Sequence, residues 1–393
     1  MHENISTKIP RIEVVDALRG FAVMAILLVH NLEHFIFPVY PDSTNYPHWL
    51  SILDQGVFDI TFSLFAGKSY AIFALLFGFT FHIQYTNQQI KGNDFGYRFL
   101  WRLLLLVGFA ALNAAFFPAG DVLLLFSIVG ILLFIVRNWS DQAILIAAVI
   151  LLLQPVEWVH YILKLMDSSY TLPDLGVGAM YKMVAAYTSE GDFSKFILGN
   201  LTLGQKASLL WAVGAGRFLQ TAGLFLLGLL IGRKQLFLFS PRSIRFWTFT
   251  LIFASILYGP LYVLKVNIYD QGSTEFIKRT IGVVFDMWQK LAFTFVLVSA
   301  FVLLYQTAKF KRLTSKFRYY GKMSLTNYIM QSIVGAFLYF PFGLYLAPHC
   351  GYTLSLCIGI IVFFLQVLCC KWWLKRYKQG PLESLWHKLT WIR

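Results

Sequence analysis

Ionisable side chains are sparse in this chain: only 13% of its 393 residues are charged. Several fall inside long apolar stretches. The first stretch runs Arg11-Ile-Glu-Val-Val-Asp16-Ala-Leu-Arg19-Gly20, then through Val29-His30-Asn31-Leu-Glu33-His34. The interval from Arg19 to His30 is close to three helical turns, so Asp16, Arg19, His30 and His34 share one stripe of a helix. At about 1.5 Å per residue, His30 stands roughly 16 Å beyond Arg19 along the axis. The stripe sets a cation near one membrane face and an imidazole deep inside. The cation suits an anion; the imidazole suits proton transfer or covalent catalysis. A structural reading stands beside this one. Arg19 can snorkel with Asp16 as its partner, His30 can be an interior histidine bonded to a carbonyl, and Glu33 and His34 can mark the helix end.

Other ionisable groups fall in later stretches. Lys68 follows Gly67 near the middle of the second. A lysine there needs a carboxylate, a carbonyl cage or an anionic ligand. Asp59 lies on the opposite face and is no partner in cis. Gly67 and Gly78, three turns apart, suit close helix packing. Arg217 sits in Gly214-Ala-Gly-Arg-Phe-Leu-Gln220. Asp286 and Lys290 form an i,i+4 pair expected to satisfy itself. Ser324, Asn327 and Gln331 share a face that either glues helices together or lines a cavity. No P-loop, GxSxG elbow or HExxH is present. Cys350, Cys357, Cys369 and Cys370 have no zinc spacing and read as small apolar fillers, so no metal is expected.

The elements that must carry these groups follow from composition. Hydrophobic residues make up 58% of the chain, in blocks of the length that spans a bilayer, about 20 residues. Such blocks must be helices, because an isolated strand cannot satisfy its backbone in lipid. The expectation is an all-α polytopic membrane protein, a single transmembrane domain of about ten spans. They fall near 14–37, 57–84, 98–117, 119–137, 141–163, 206–232, 244–265, 279–305, 323–346 and 352–376. The first block lacks a cleavage site and reads as a signal anchor. Most Lys and Arg, including Lys8, Arg11 and Arg19, fall on the side of the N-terminus. The outer loops at 38–56, 118 and 347–351 contain none. This is the positive-inside pattern, with both termini cytoplasmic. It also accounts for the net charge of +14 through anionic lipid, and no nucleic acid partner is expected. The long outer connection 164–205 has apolar residues at helical spacing. It reads as an amphipathic helix on the membrane surface or a lid over an outward cavity. No internal repeat and no inverted pair of broken helices is visible. Oligomeric state stays open, a homo-oligomer included.

Three blocks carry a family resemblance. They are Asp16-Ala-Leu-Arg-Gly-Phe-Ala22; Leu64-Phe-Ala-Gly-Lys68 with Phe73-Ala-Leu-Leu-Phe-Gly78; and Gly321-Lys-Met-Ser-Leu-Thr-Asn-Tyr-Ile-Met-Gln331 with Gly380-Pro-Leu-Glu-Ser-Leu-Trp386. Together they resemble the bacterial YeiB family of inner-membrane proteins, a domain of unknown function, over nearly the whole chain. The first helix is also distantly similar to transmembrane acyltransferases, the group of heparan-glucosaminide acetyltransferase and the polysaccharide O-acyltransferases. There an Arg or Lys, ten residues and a His recur, and Arg19 and His30 match that spacing. The resemblance implies acyl-CoA as a cytoplasmic co-substrate, with no bound cofactor, and a glycan-type acceptor outside. Arg19, Lys68 or Arg217 would then pair a phosphate or the thioester oxygen. His30, with His34 beside it, would serve as base or acyl carrier, and Asp16, Asn31, Asn327 and Gln331 would complete the binding residues. A transporter or flippase and a non-catalytic membrane subunit are the competing expectations.

Overall fold

The computed structural model describes residues 11–40, 46–270 and 272–392. Lys8 and part of the 38–56 loop lie outside them. Among the described residues every regular element is helical. The first half holds α1 (Glu13–Leu32), α2 (His48–Phe65), α3 (Lys68–Gln89), α4 (Gly96–Phe116), α5 (Leu123–Val136), α6 (Asp141–Leu152) and α7 (Pro155–Met166). The outer connection contains α8 (Val177–Ser189) and α9 (Phe193–Gly199), followed by α10 (Gln205–Gly214) and α11 (Arg217–Arg233). The second half holds α12 (Pro241–Asp270), α13 (Glu275–Ile277), α14 (Val283–Leu304), α15 (Ala308–Leu313), α16 (Ser315–Lys322), α17 (Ser324–Tyr339), α18 (Tyr352–Leu374) and α19 (Pro381–Thr390).

Five stretches are long and apolar enough to cross a membrane: His48–Gln89, Gly96–Phe116, Pro241–Tyr269, Glu275–Leu304 and Tyr352–Leu374. Two sharply bent pairs, α6 with α7 and the run from α9 through α10 with α11, raise that to seven if each pair is one span. The chain is therefore an all-helical protein with several membrane-capable helices.

Three stretches expected to be single helices are broken, each for a backbone reason. The 57–84 stretch stops at Ala66 and restarts after Gly67, whose φ is +76°. The 206–232 stretch bends by 77° at Gly216, φ +64°. The 141–163 stretch bends by 48° at Gln154, φ +56°, followed by Pro155. Positive φ ends a right-handed helix and costs least at glycine. Gln154 tolerates it because its side-chain amide donates to the Gly216 carbonyl at 3.2 Å, tying the second break to the third.

α1 is the central element, and most of its side chains are buried. Its neighbours come very close: a Cβ on Gly20 would collide with the Phe317 carbonyl, and one on Gly321 with that of Asp16. The same device joins α3 to α11, where Gly78 faces the Phe225 carbonyl and Gly228 faces that of Leu75. α12 lies at the periphery, with Phe249, Ile252, Phe253 and Ile256 exposed, as befits a surface facing lipid.

Two cavities at opposite ends of the first helix

The N-terminal half of α1 opens onto a cavity of about 260 Å3 lined by Arg11, Arg19, Arg102, Lys322, Glu383 and His387, among others. Asp16 binds two of these cations. Arg11 Nε donates to it at 2.5 Å, and Arg19 stands at 3.4 Å. The other arm of Arg19 donates to Thr80 Oγ1 at 2.9 Å, which aims the guanidinium across the cavity. Arg102 lies 4.1 Å over the Trp386 ring and donates to Thr390 Oγ1 at 3.2 Å. No carboxylate pairs with Arg102 among the described residues. Glu383 is occupied elsewhere: it accepts from Leu325 N, Thr326 N and Thr326 Oγ1 at 2.8, 3.1 and 2.6 Å. It thereby caps the start of α17, whose own N-cap Met323 supplies no acceptor. Burial raises the Glu383 pKa, and these hydrogen bonds oppose the shift. Burial and the nearby charges of Arg102 and Lys91 lower that of His387. The cavity is therefore basic, with more cationic than anionic side chains on its wall.

The C-terminal half of α1 opens onto a second cavity, of about 600 Å3. His30, Glu33 and His34 line it, with Tyr70, Asp121, Arg217 and Lys290. The His30 and His34 rings meet edge to face at 5.4 Å, and Phe117 packs on both, at 4.4 and 4.7 Å. His30 Nδ1 is buried without a hydrogen-bond partner among the described residues. His34 Nε2 lies 3.9 Å from Glu33 Oε2. Asp121 accepts from Asn113 Nδ2 at 2.9 Å and from Leu124 N at 3.0 Å. α8 closes one side with Val177 and Tyr181, and the Tyr181 hydroxyl donates to the Ala119 carbonyl at 3.1 Å.

One wall divides the cavities. Leu123 and Phe126 of α5 face the basic side, while Val122 and Leu125 face the histidine side. On α3, Phe73 and Tyr70 divide in the same way, and both rings pack on Phe126, at 5.9 and 5.6 Å.

The residues singled out from sequence separate into three groups. Arg19 lines the basic cavity, with Asp16 paired to it. His30, His34 and Arg217 line the histidine cavity, and Lys68 lies buried just behind Gly67, which does line it. Asn31, Asn327 and Gln331 line neither cavity. Asn31 donates to the Leu27 carbonyl at 2.8 Å and accepts from Tyr339 at 3.1 Å. Asn327 donates to the Tyr320 carbonyl at 3.0 Å and contacts Cys370 Sγ at 3.2 Å. Gln331 donates to the Val23 carbonyl at 3.2 Å and to the Tyr320 hydroxyl at 2.7 Å. These amides bond to neighbouring helices, the first reading open for the α17 stripe, whereas Ser324 of the same stripe lines the basic cavity, the second. Sequence reasoning missed Arg102, Glu383 and Asp121. Arg102 and Asp121 fall in the first turns of the spans expected at 98–117 and 119–137.

This architecture defines a helical membrane protein with polar cavities at both ends of a buried charged helix. A family described as "Protein of unknown function (DUF418)" matches residues 231–393. The chain is 26% identical to the uncharacterized protein YxaH of Bacillus subtilis, covering 97% of this chain and 94% of that one. It is 27% identical to the uncharacterized protein YeiB of Escherichia coli, covering 96% and 95%. A 39.9 kDa uncharacterized protein of Bacillus acidopullulyticus is 24% identical over 98% and 94%. The family match covers the C-terminal part of the chain, and the similarity to YxaH and YeiB runs along nearly all of it. No solved structure matches it.

Proposed function

We propose that the protein is a ten-span acyltransferase of the inner membrane, with both termini cytoplasmic. It moves an acyl group from cytoplasmic acyl-CoA to a glycan-type acceptor outside. The observation that carries this reading is the pair of cavities back to back along α1, one basic and one holding two histidines. Coenzyme A carries several phosphates, and Arg19 and Arg102 offer guanidinium donors suited to them. Arg11 and His387 line the same cavity, which supports an even number of crossings.

In this reading the thioester passes the wall of Tyr70, Phe73 and Phe126, whose rings must part. An acceptor hydroxyl attacks the thioester carbonyl as His30 takes its proton. The new C–O bond forms, the C–S bond breaks, and the thiolate is reprotonated on the cytoplasmic side. His34 and Glu33 offer the His30 proton a route outward. Proteoliposomes given radiolabelled acetyl-CoA on the Arg19 side and a hydroxyl acceptor on the other test this. Labelled acceptor should form, and should be lost in His30→Ala.

A second reading, a transporter of a small solute or lipid-linked sugar, is favoured by the three helix breaks at Gly67, Gln154 and Gly216. Irregular backbone at membrane depth belongs where it lines a cavity. Counterflow of an unmodified solute, with no covalent product, would select this reading.

A further inference from the structure

Two of the helix breaks bring cations together. Gly67 caps α3 and Gly216 caps α11, both in the left-handed region, and neither helix has a side-chain cap at its N-terminus. The first residues after the two breaks are Lys68 and Arg217. Around Gly67, a Cβ would lie 3.0 Å from Lys290 Cδ and 3.2 Å from an Arg217 terminal nitrogen. The Arg217 guanidinium is held between Tyr70 and Trp211, its Cζ 5.1 and 5.8 Å from their ring centres. One arm donates to Gln220 Oε1 at 2.9 Å.

Charge at this point is unbalanced. Asp286 accepts from Lys290 at 2.5 Å and from Lys265 at 2.9 Å, and is consumed by them. Lys68 is 4% exposed, and no acid or hydrogen-bond acceptor pairs with it among the described residues; its contact is with the Phe293 ring at 5.7 Å. Arg217 is 9% exposed and likewise has no carboxylate among those residues. Four cations thus face one carboxylate inside apolar helices, where an unmatched charge is costly. The uncapped N–H groups of α3 and α11 add partial positive charge at the same place. A phosphate group, as a monoester or a diester, brings negative charge together with several acceptor oxygens and so answers both the excess charge and the unused donors.

We propose that Lys68, Arg217 and Lys290, gathered at the Gly67 and Gly216 helix breaks, form a binding site for a phosphate group, with Arg217 and Lys290 on the wall of the histidine cavity and Lys68 just behind Gly67. The phosphate belongs either to a lipid headgroup or to a soluble phosphate ester entering the cavity. The site stands on its own charges and is read by binding rather than turnover, so it holds or fails independently of acyl transfer.

The test uses the full-length chain in two settings. In detergent, inorganic phosphate and glycerol 1-phosphate are titrated against chloride at matched ionic strength, with thermal unfolding as the readout. In nanodiscs of phosphatidylglycerol or phosphatidylcholine, native mass spectrometry counts retained lipid. A saturable rise in Tm with either soluble phosphate assigns the soluble source; selective retention of phosphatidylglycerol assigns the lipid. Either response should vanish in Lys68→Met and persist in Arg102→Gln, which alters only the basic cavity. In Arg217→Lys, which keeps the charge, half-saturation should need about ten times more ligand. An equal response to chloride, a response that survives Lys68→Met and disappears in Arg102→Gln, or no response in either setting would overturn the proposal.

Discussion

At the residue scale, the helix spacing of Arg19 and His30 translates into two environments. Arg19 is bound by Asp16 and Thr80 at the wall of one cavity. His30 stands at the wall of the other, with one ring nitrogen unpaired. Separate roles predict separate phenotypes. Arg19→Gln should weaken acyl-CoA binding, measured by titration, and leave the fold intact. His30→Ala should keep binding while the rate of acyl transfer falls about 100-fold or more, the range typical of a lost general base. His34→Ala should have a smaller effect, since the route through Glu33 is one of several to water. The first-helix stripe was legible because a helix places residues by number alone. Asn31, Asn327 and Gln331 were not separable from cavity residues in sequence. A polar face on an interior helix looks the same whether its partner is a ligand or the Tyr320 hydroxyl.

At the element scale, close backbone approaches and one capping contact position the cavities. Gly78 and Gly228 let α3 and α11 touch, and Gly20 and Gly321 do the same for α1 and α16. Gly78→Leu should lower thermal stability by about 1–3 kcal/mol or more, because the added side chain meets backbone that cannot yield. Glu383 joins α19 to the start of α17. Glu383→Ala should release α19 and raise hydrogen exchange at residues 381–390, at a cost of about 2 kcal/mol for the lost charged hydrogen bonds. Unchanged exchange there would show that Trp386 and Arg102 hold α19 alone, through the bond at 3.1 Å from Trp386 Nε1 to the Arg102 carbonyl. Element boundaries were least legible where glycine changes the backbone. Hydropathy averages across Gly67 and Gly216, so a break inside an apolar block leaves no trace in composition. Gly67 and Gly78 looked like one packing stripe, yet only Gly78 packs a neighbouring backbone; Gly67 turns the chain.

At the scale of the whole molecule, the all-helical, membrane-capable architecture follows from apolar block lengths, while the number of crossings does not. Short helices such as α5 and α17 and the bent pairs pass or fail as spans according to neighbours that composition cannot show. The topology proposed above predicts that reporters fused at residue 1 and residue 393 both read as cytoplasmic, and that a tag inserted at 168–172 reads as external. Opposite readings at the two ends would contradict an even number of crossings.

The proposed acyl transfer depends on acyl-CoA binding in the basic cavity. The most direct measurement is thermal unfolding of the purified chain titrated with acetyl-CoA and longer acyl-CoAs. A ligand that binds the folded state alone stabilises it by about 2.7 kcal/mol at a hundredfold excess over its Kd. A saturable rise in Tm is expected, lost in Arg19→Gln and Arg102→Gln and retained in His30→Ala. No rise with any acyl-CoA, or a rise indifferent to Arg19 and Arg102, would contradict it.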